Sequence, residues 1–249
     1  MTTLSSPSTS EDRSPAFEGT ALFDRFGISA ATANTGSLRE TVQDHGVVFF
    51  PAGTLPTEGL SSLLGSEVVE HEPPLATAGR WHFAGGFGNS APDFALALGG
   101  GAGTIVDFSD ARLAYESLDP VLRAYVDTLS AIRYIDSTGA LTDAVPDPVV
   151  RAEILQRYTA AAIPLVRPHA ASGRSCLAVD ETFTNYISKT ERIFSHNLLG
   201  ILFDHLRAPA VTGTLMLREG EAVLWDSNII QIRHPASTRI VHFKEGASA

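Results

Sequence analysis

A single cysteine, Cys176, stands in a chain of 249 residues. One thiol can make neither an intramolecular disulfide nor a cysteine-based zinc site, which fits a reducing cytoplasm. Long apolar runs are also missing. Nowhere do about 18 apolar residues follow one another, so no membrane-spanning helix is expected. The N-terminus lacks the basic-then-apolar order of a signal peptide. Basic residues are in the minority, 18 Lys and Arg against 28 Asp and Glu, for a formal net charge of −10. That balance offers no long-range attraction to nucleic acid or to an anionic membrane. The exclusions point to a soluble, cytoplasmic protein with a small-molecule or peptide-like substrate. A homo-oligomer or a partner enzyme of the same pathway is left open.

With 44% hydrophobic residues the chain can bury a full core. Residues 1–18 are rich in Ser, Thr and Pro, have no apolar period and read as a mobile tail. Residues 19–249 read as one domain. A short helix is expected over 35–44, ended by His45-Gly46, and Val47 to Pro51 reads as a buried strand. A second short helix falls near 57–66. Strands are expected near 93–98 and 104–108, helices over 109–133 and a loop over 136–150. A strand pair at 163–167 and 175–180 comes before a long helix from Thr190 to Arg207, with Ile193, Leu198, Ile201, Leu202 and Leu206 at helical spacing. No internal repeat is found.

The C-terminal stretch from Thr214 to Phe243 carries the clearest pattern. Leu215, Leu217, Val223, Trp225, Ile230, Ile232, Ile240 and Phe243 mostly follow the two-residue period of half-buried strands. Turns are expected at Glu219-Gly220 and at Pro235-Ala236-Ser237. Several blocks, in order, carry a resemblance: HGVVFF at 45–50, RWHFA at 80–84, GAGTIVDF at 101–108, PLVRPHAASGRSCLAV at 164–179, ETFTNYI at 181–187 and GEAVLWDS at 220–227, followed by Arg239. Together they resemble the taurine dioxygenase (TauD/TfdA) family. The resemblance implies a mainly β fold with flanking helices, a double-stranded β-helix or jelly roll of the clavaminate synthase-like type. It also implies chemistry with Fe(II), 2-oxoglutarate and O2. The segment between the first strand and RWHFA is short for the family, which suggests a trimmed entrance or lid.

The family's iron is held by two histidines and a carboxylate, the first histidine and the carboxylate lying two residues apart. Alternate residues of an extended segment face one side, which is why that spacing serves. The matching tripeptide is His82-Phe83-Ala84, and the methyl of Ala84 cannot ligate a metal. The second histidine should fall six residues after Asp226, where Ile232 stands. His234 lies two residues farther on and would share the face of Ile232 if the strand continues. Such a shift displaces the imidazole by roughly 6–7 Å unless a bulge intervenes. Arg239 matches the arginine that holds the far carboxylate of 2-oxoglutarate, and Thr104 the hydroxyl that assists it. A guanidinium suits that task because it offers two parallel donors. Arg174 is a candidate for substrate contact.

Other chemistry-bearing residues have plainer readings. His45 reads as a helix end, His169 as a solvated turn residue, and His196 and His205 as helix residues too far apart for a metal pair. Trp225 reads as core, Asp226 as structural and Cys176 as an inert core thiol.

Three functions follow. The first is a repurposed, metal-independent enzyme of specialised metabolism that needs no cofactor. It would cyclise or isomerise a small or peptide-like metabolite, with His82 and His234 as catalytic groups and Arg239, Thr104 and Arg174 binding the substrate. The second is an Fe(II)- and 2-oxoglutarate-dependent halogenase or oxygenase in which His82 and His234 hold the metal. Halogenating relatives carry Ala or Gly in place of the carboxylate, and here chloride would sit beside Ala84. The third is a non-catalytic binding or accessory protein on the same scaffold.

Overall fold

The computed structural model describes residues 19–30, 38–56, 59–69, 77–84, 92–137, 139–157 and 159–245. The expected tail at 1–18 lies outside the described residues. The first elements are β1 (Gly19–Ala21) and β2 (Ile28–Ala30), paired antiparallel, and α1 (Leu38–His45). Gly46 ends α1 at φ 79°, where a Cβ would meet Ile230 Cδ1 at 2.8 Å, so the position requires glycine on both counts. The chain runs on through β3 (Val47–Phe50), α2 (Leu60–Leu64), β4 (Ser66–Val69), the two-residue β5 (His82–Phe83), β6 (Phe94–Leu98) and β7 (Thr104–Asp110).

Asp110 caps α3 (Ala111–Glu116) by accepting from the N–H groups of Arg112 and Leu113, and Asp119 with Pro120 starts α4 (Pro120–Val126). The helical reading of 109–133 therefore ends early. Ser130–Arg133 forms β8, because a strand on either side pairs with it. The loop expected over 136–150 is likewise corrected: it holds α5 (Ala140–Ala144) and the start of α6 (Pro148–Arg157). The side chain of Asp147 accepts from Val149 N–H and Val150 N–H, the same Asp-Pro device that starts α4.

After these come β9 (Ala161–Pro164), β10 (Val166–Pro168), β11 (Ser175–Leu177), β12 (Thr184–Ile187) and α7 (Arg192–Leu206). The C-terminal stretch supplies β13 (Thr212–Leu217), β14 (Ala222–Asp226), β15 (Ile230–Arg233) and β16 (Ile240–Glu245), close to the expected strands and turns.

Two sheets face each other. The larger has seven strands in the order β1-β2-β3-β14-β6-β16-β4, and the smaller has four in the order β13-β7-β15-β5. Period-two alternation sorts their faces. In the larger sheet Val48, Phe50, Leu96, Leu224 and Phe243 join one core cluster together with Leu38, Val42 and Leu64 of the first two helices. Val47, Ala95, Ala97, Val223 and Trp225 point the other way, into the space between the sheets, where Trp225 meets Phe108 edge-on at 5.8 Å. The C-terminal end of α7 meets the far side of the smaller sheet, where Ser109 Oγ donates to the carbonyl of Leu206 at 2.6 Å.

Candidate functional site

Strand register decides which side chains meet between the sheets. Ile232 pairs with His82 on one side and with Phe108 on the other, so these three side chains form a row on the inner face. His234 follows two residues after Ile232 and shares its parity. Its ring lies 5.4 Å from that of His82, centroid to centroid, with 60° between the planes. His234 is the diagonal neighbour of His82 across the rung made by Ile232, so the two rings meet although the ligand position is displaced along the strand. The N–H of Gly79 holds the carbonyl of His234 at 2.8 Å and so ties the segment before β5 to the end of β15.

Both rings are oriented through Nδ1, by the Arg80 carbonyl at 2.9 Å for His82 and by the Pro235 carbonyl at 2.8 Å for His234. A carbonyl only accepts, so each Nδ1 carries the proton and each Nε2 keeps a free lone pair. Burial pushes the His82 imidazolium down to about 3, against the partial help of the Arg80 carbonyl. Burial lowers that of His234 too. Both rings are therefore neutral near pH 7, the form that ligates metals.

Two imidazoles sharing one divalent ion, each nitrogen about 2.0–2.1 Å from it, have ring centroids roughly 4.5–5.5 Å apart. The observed separation fits one ion. Ala84, buried two residues after His82, offers no donor. Among the described residues no group of three His, Cys, Asp and Glu side chains could hold a metal. An imidazole held down to about 3 is, in contrast, a feeble general base, and this weighs against proton-transfer chemistry at His82.

Of the remaining expected site residues, Thr104 and Arg239 lie at one end of the sheets and Arg174 elsewhere. Half-buried Thr104 starts β7, at the end of the smaller sheet where β15 gives way to His234. Arg239 enters β16 at the same end, but it is exposed, and by alternation it shares parity with Val241 and Phe243 and not with Ile240 and His242. It makes no hydrogen bond or ion pair with the described residues. The guanidinium of Arg174 is engaged by Glu116, Nη2 to Oε1 at 2.6 Å, on the surface.

His169 corrects the expectation of a solvated residue. It is buried, with Nε2 at 3.0 Å from Asp226 Oδ2 and Nδ1 at 2.8 Å from Ser172 Oγ. A carboxylate in the core needs such a partner, and the turn at 169–173 folds inward to supply it. His242, unnoticed in the sequence, is buried on the inner face near His82, in register with Ala95. The available signal was its spacing: His242 lies two residues from Ile240 on one strand.

Comparison with known proteins adds the following. The profile of the family described as "Taurine catabolism dioxygenase TauD, TfdA family" matches residues 95–231, more than half of the chain. No curated protein matches it in sequence. A structure from Burkholderia xenovorans described as an alpha-ketoglutarate dependent 2,4-D dioxygenase is similar over 92% of this chain and 97% of its own, with a TM-score of 0.75 at 16% identity. The structure of AAD-2 in complex with Mn(II) and N-oxalylglycine is similar over 94% and 99%, with a TM-score of 0.74 at 17% identity. A taurine dioxygenase from Burkholderia xenovorans is similar over 92% and 90%, with a TM-score of 0.67 at 20% identity. The fold is accordingly a mainly β double-stranded β-helix. The expectation that the chain needs no cofactor is overturned, because a family of dioxygenases and a neighbour holding Mn(II) with N-oxalylglycine point to a metal and 2-oxoglutarate. That expectation followed from counting lost ligands along the sequence, and the geometry pairs His234 with His82 after all. Among the described residues no helix is long and apolar enough to cross a membrane.

Proposed function

The chain belongs to the TauD, TfdA family, and from that membership we propose that it is an Fe(II)- and 2-oxoglutarate-dependent enzyme whose metal is held by His82 and His234. The observation that carries this reading is the pair of neutral imidazoles 5.4 Å apart, each with Nδ1 tied to a backbone carbonyl. Bound there, ferrous iron with 2-oxoglutarate would supply O2-dependent oxidation of a substrate C–H bond. The chain's own part is to bring two imidazoles together with each Nε2 unprotonated, His82 being buried in the row it forms with Ile232 and Phe108. Thr104 is assigned to the distal carboxylate of 2-oxoglutarate; Arg239, the sequence's candidate for the same group, would have to turn inward from its exposed position to join it, and Arg174 is held at the surface by Glu116. The substrate is a small or peptide-like metabolite.

Ala84 favours halogenation within this reading. It stands two residues after His82, where a carboxylate would otherwise occupy the metal, and a methyl leaves that corner to a halide. Ala84→Asp is expected to abolish chlorination and leave hydroxylation.

Anaerobic addition of Fe(II) and 2-oxoglutarate tests the proposal. A weak visible charge-transfer band is expected, lost in both His82→Ala and His234→Ala, with succinate formed only when substrate is present. Absence of metal binding in the wild-type protein sinks the reading. Turnover without metal would then indicate non-oxidative chemistry on this scaffold, and tight ligand binding without turnover an accessory role.

A further inference from the structure

We propose that Arg233 is a positioning residue for the histidine pair, acting from the opposite face of the sheet; the proposal rests on the reading that His82 and His234 hold the metal. Ile232 occupies the rung across from His82, so the second ring has to come from His234, beyond the last paired residue of β15. That last rung is Arg233 opposite Asp107. A residue just past the end of a ladder is held by whatever fixes the final rung.

The fixing is done by a row of side chains across all four strands, or their immediate extensions, on the outer face. The Arg233 guanidinium lies 5.2 Å from the centre of the Trp81 ring. Its Nε and Nη2 donate to Asp107 Oδ2 at 2.9 and 2.8 Å. The other carboxylate oxygen of Asp107 accepts from Thr214 Oγ1 at 2.6 Å. Trp81 directly precedes His82, and Arg233 directly precedes His234. One guanidinium therefore bridges the two backbones that carry the ligands, while the cation–π contact and the two-donor contact hold it in place. Half of the Arg233 side chain is exposed, and an ion pair so placed contributes little to global stability. Its effect is local: the phase of β5 against β15, and through it the distance between the two imidazoles.

The test uses the whole chain, with Co(II) as a redox-inert probe of the site and histidine-labelled protein for NMR. In the metal-free wild type a ring-proton NOE between His82 and His234 is expected. Arg233→Gln should lose that NOE and bind Co(II) about tenfold more weakly, as for other residues that orient metal ligands, with a nearly unchanged melting temperature. Arg233→Lys keeps the charge but not the two-donor fork and should recover only part of the affinity. If Arg233→Gln keeps both the NOE and the affinity, or if the wild type shows no NOE, the proposal is overturned. If the wild type binds no Co(II) but Arg233→Gln still loses the NOE, the positioning role stands and the metal reading falls. Should Arg233→Gln fail to fold, Asp107→Asn removes the charge of the acceptor at constant size and is judged by the same outcomes.

Discussion

Ile232 faces His82 directly across the β15–β5 rung, and the imidazole that reaches His82 comes instead from His234, 5.4 Å away between ring centres. In the proposed reading the second ligand position has moved along the strand without leaving its face. A histidine placed at 232 should therefore reach the same ion. His234→Ala is expected to abolish Co(II) binding, and the double variant Ile232→His/His234→Ala to restore it, as read by Co(II) titration. A double variant that binds no metal would show that the register around β5 does not place residue 232 towards the ion.

Acid should destabilise the protein through the same pair. The folded chain holds the His82 imidazolium down to about 3 by burial, against 6.5 for an ordinary histidine. Between those values the unfolded chain binds a proton that the folded chain refuses. Stability is then lost on acidification below about 6.5, by roughly 1.4 kcal/mol per pH unit from this group, levelling off near the folded value. His234, lowered by burial as well, adds to the slope with the same sign. Urea midpoints measured between about pH 4.5 and 7.5 should follow this slope, and His82→Asn should flatten it. An unchanged slope in that variant would assign the acid sensitivity to other groups.

Arg112 joins the first helix to the inner core. Its guanidinium is buried, donates to both carboxylate oxygens of Asp110 and reaches the carbonyls of Gln43 and Asp44 at the end of α1. Arg112→Ala strands the Asp110 charge and should cost about 3–5 kcal/mol in chemical denaturation. Asp110→Asn/Arg112→Met should cost less, because no unpaired charge is left inside. Equal losses for the two variants would place the energy in packing and not in charge.

Cys176 is fully buried and its thiol is pushed up by burial. The native protein should not react with a thiol reagent over minutes, whereas the urea-unfolded chain should react fully. Fast labelling without urea would mean that β11 opens readily.

The strands of the core were legible because their apolar residues keep a two-residue period over Leu215 to Phe243, and the long helix because α7 keeps one of about 3.6. Ser130–Arg133 was not, because SAIR carries no alternation of its own and becomes a strand only through β9 and β12. The start of α6 was not expected although Asp147-Pro148 is the same start signal as Asp119-Pro120. At the site, both histidines could be named from sequence, but their approach could not: it depends on the register of β15 against β5, which residue counting does not contain. His169 was misjudged for a related reason, since its partner Asp226 lies 57 positions away in sequence. The family profile stops at residue 231 and begins at 95, so both imidazoles fall outside the stretch where likeness is strongest.

One imidazole rides on β5, a two-residue strand at the edge of the smaller sheet. Edge rungs this short open without global unfolding, so amides of residues 81–83 should exchange with deuterium long before those of β14. An ion gripped from both sides would close that breathing mode, and slowed exchange confined to this corner would give occupancy a fingerprint that requires no substrate.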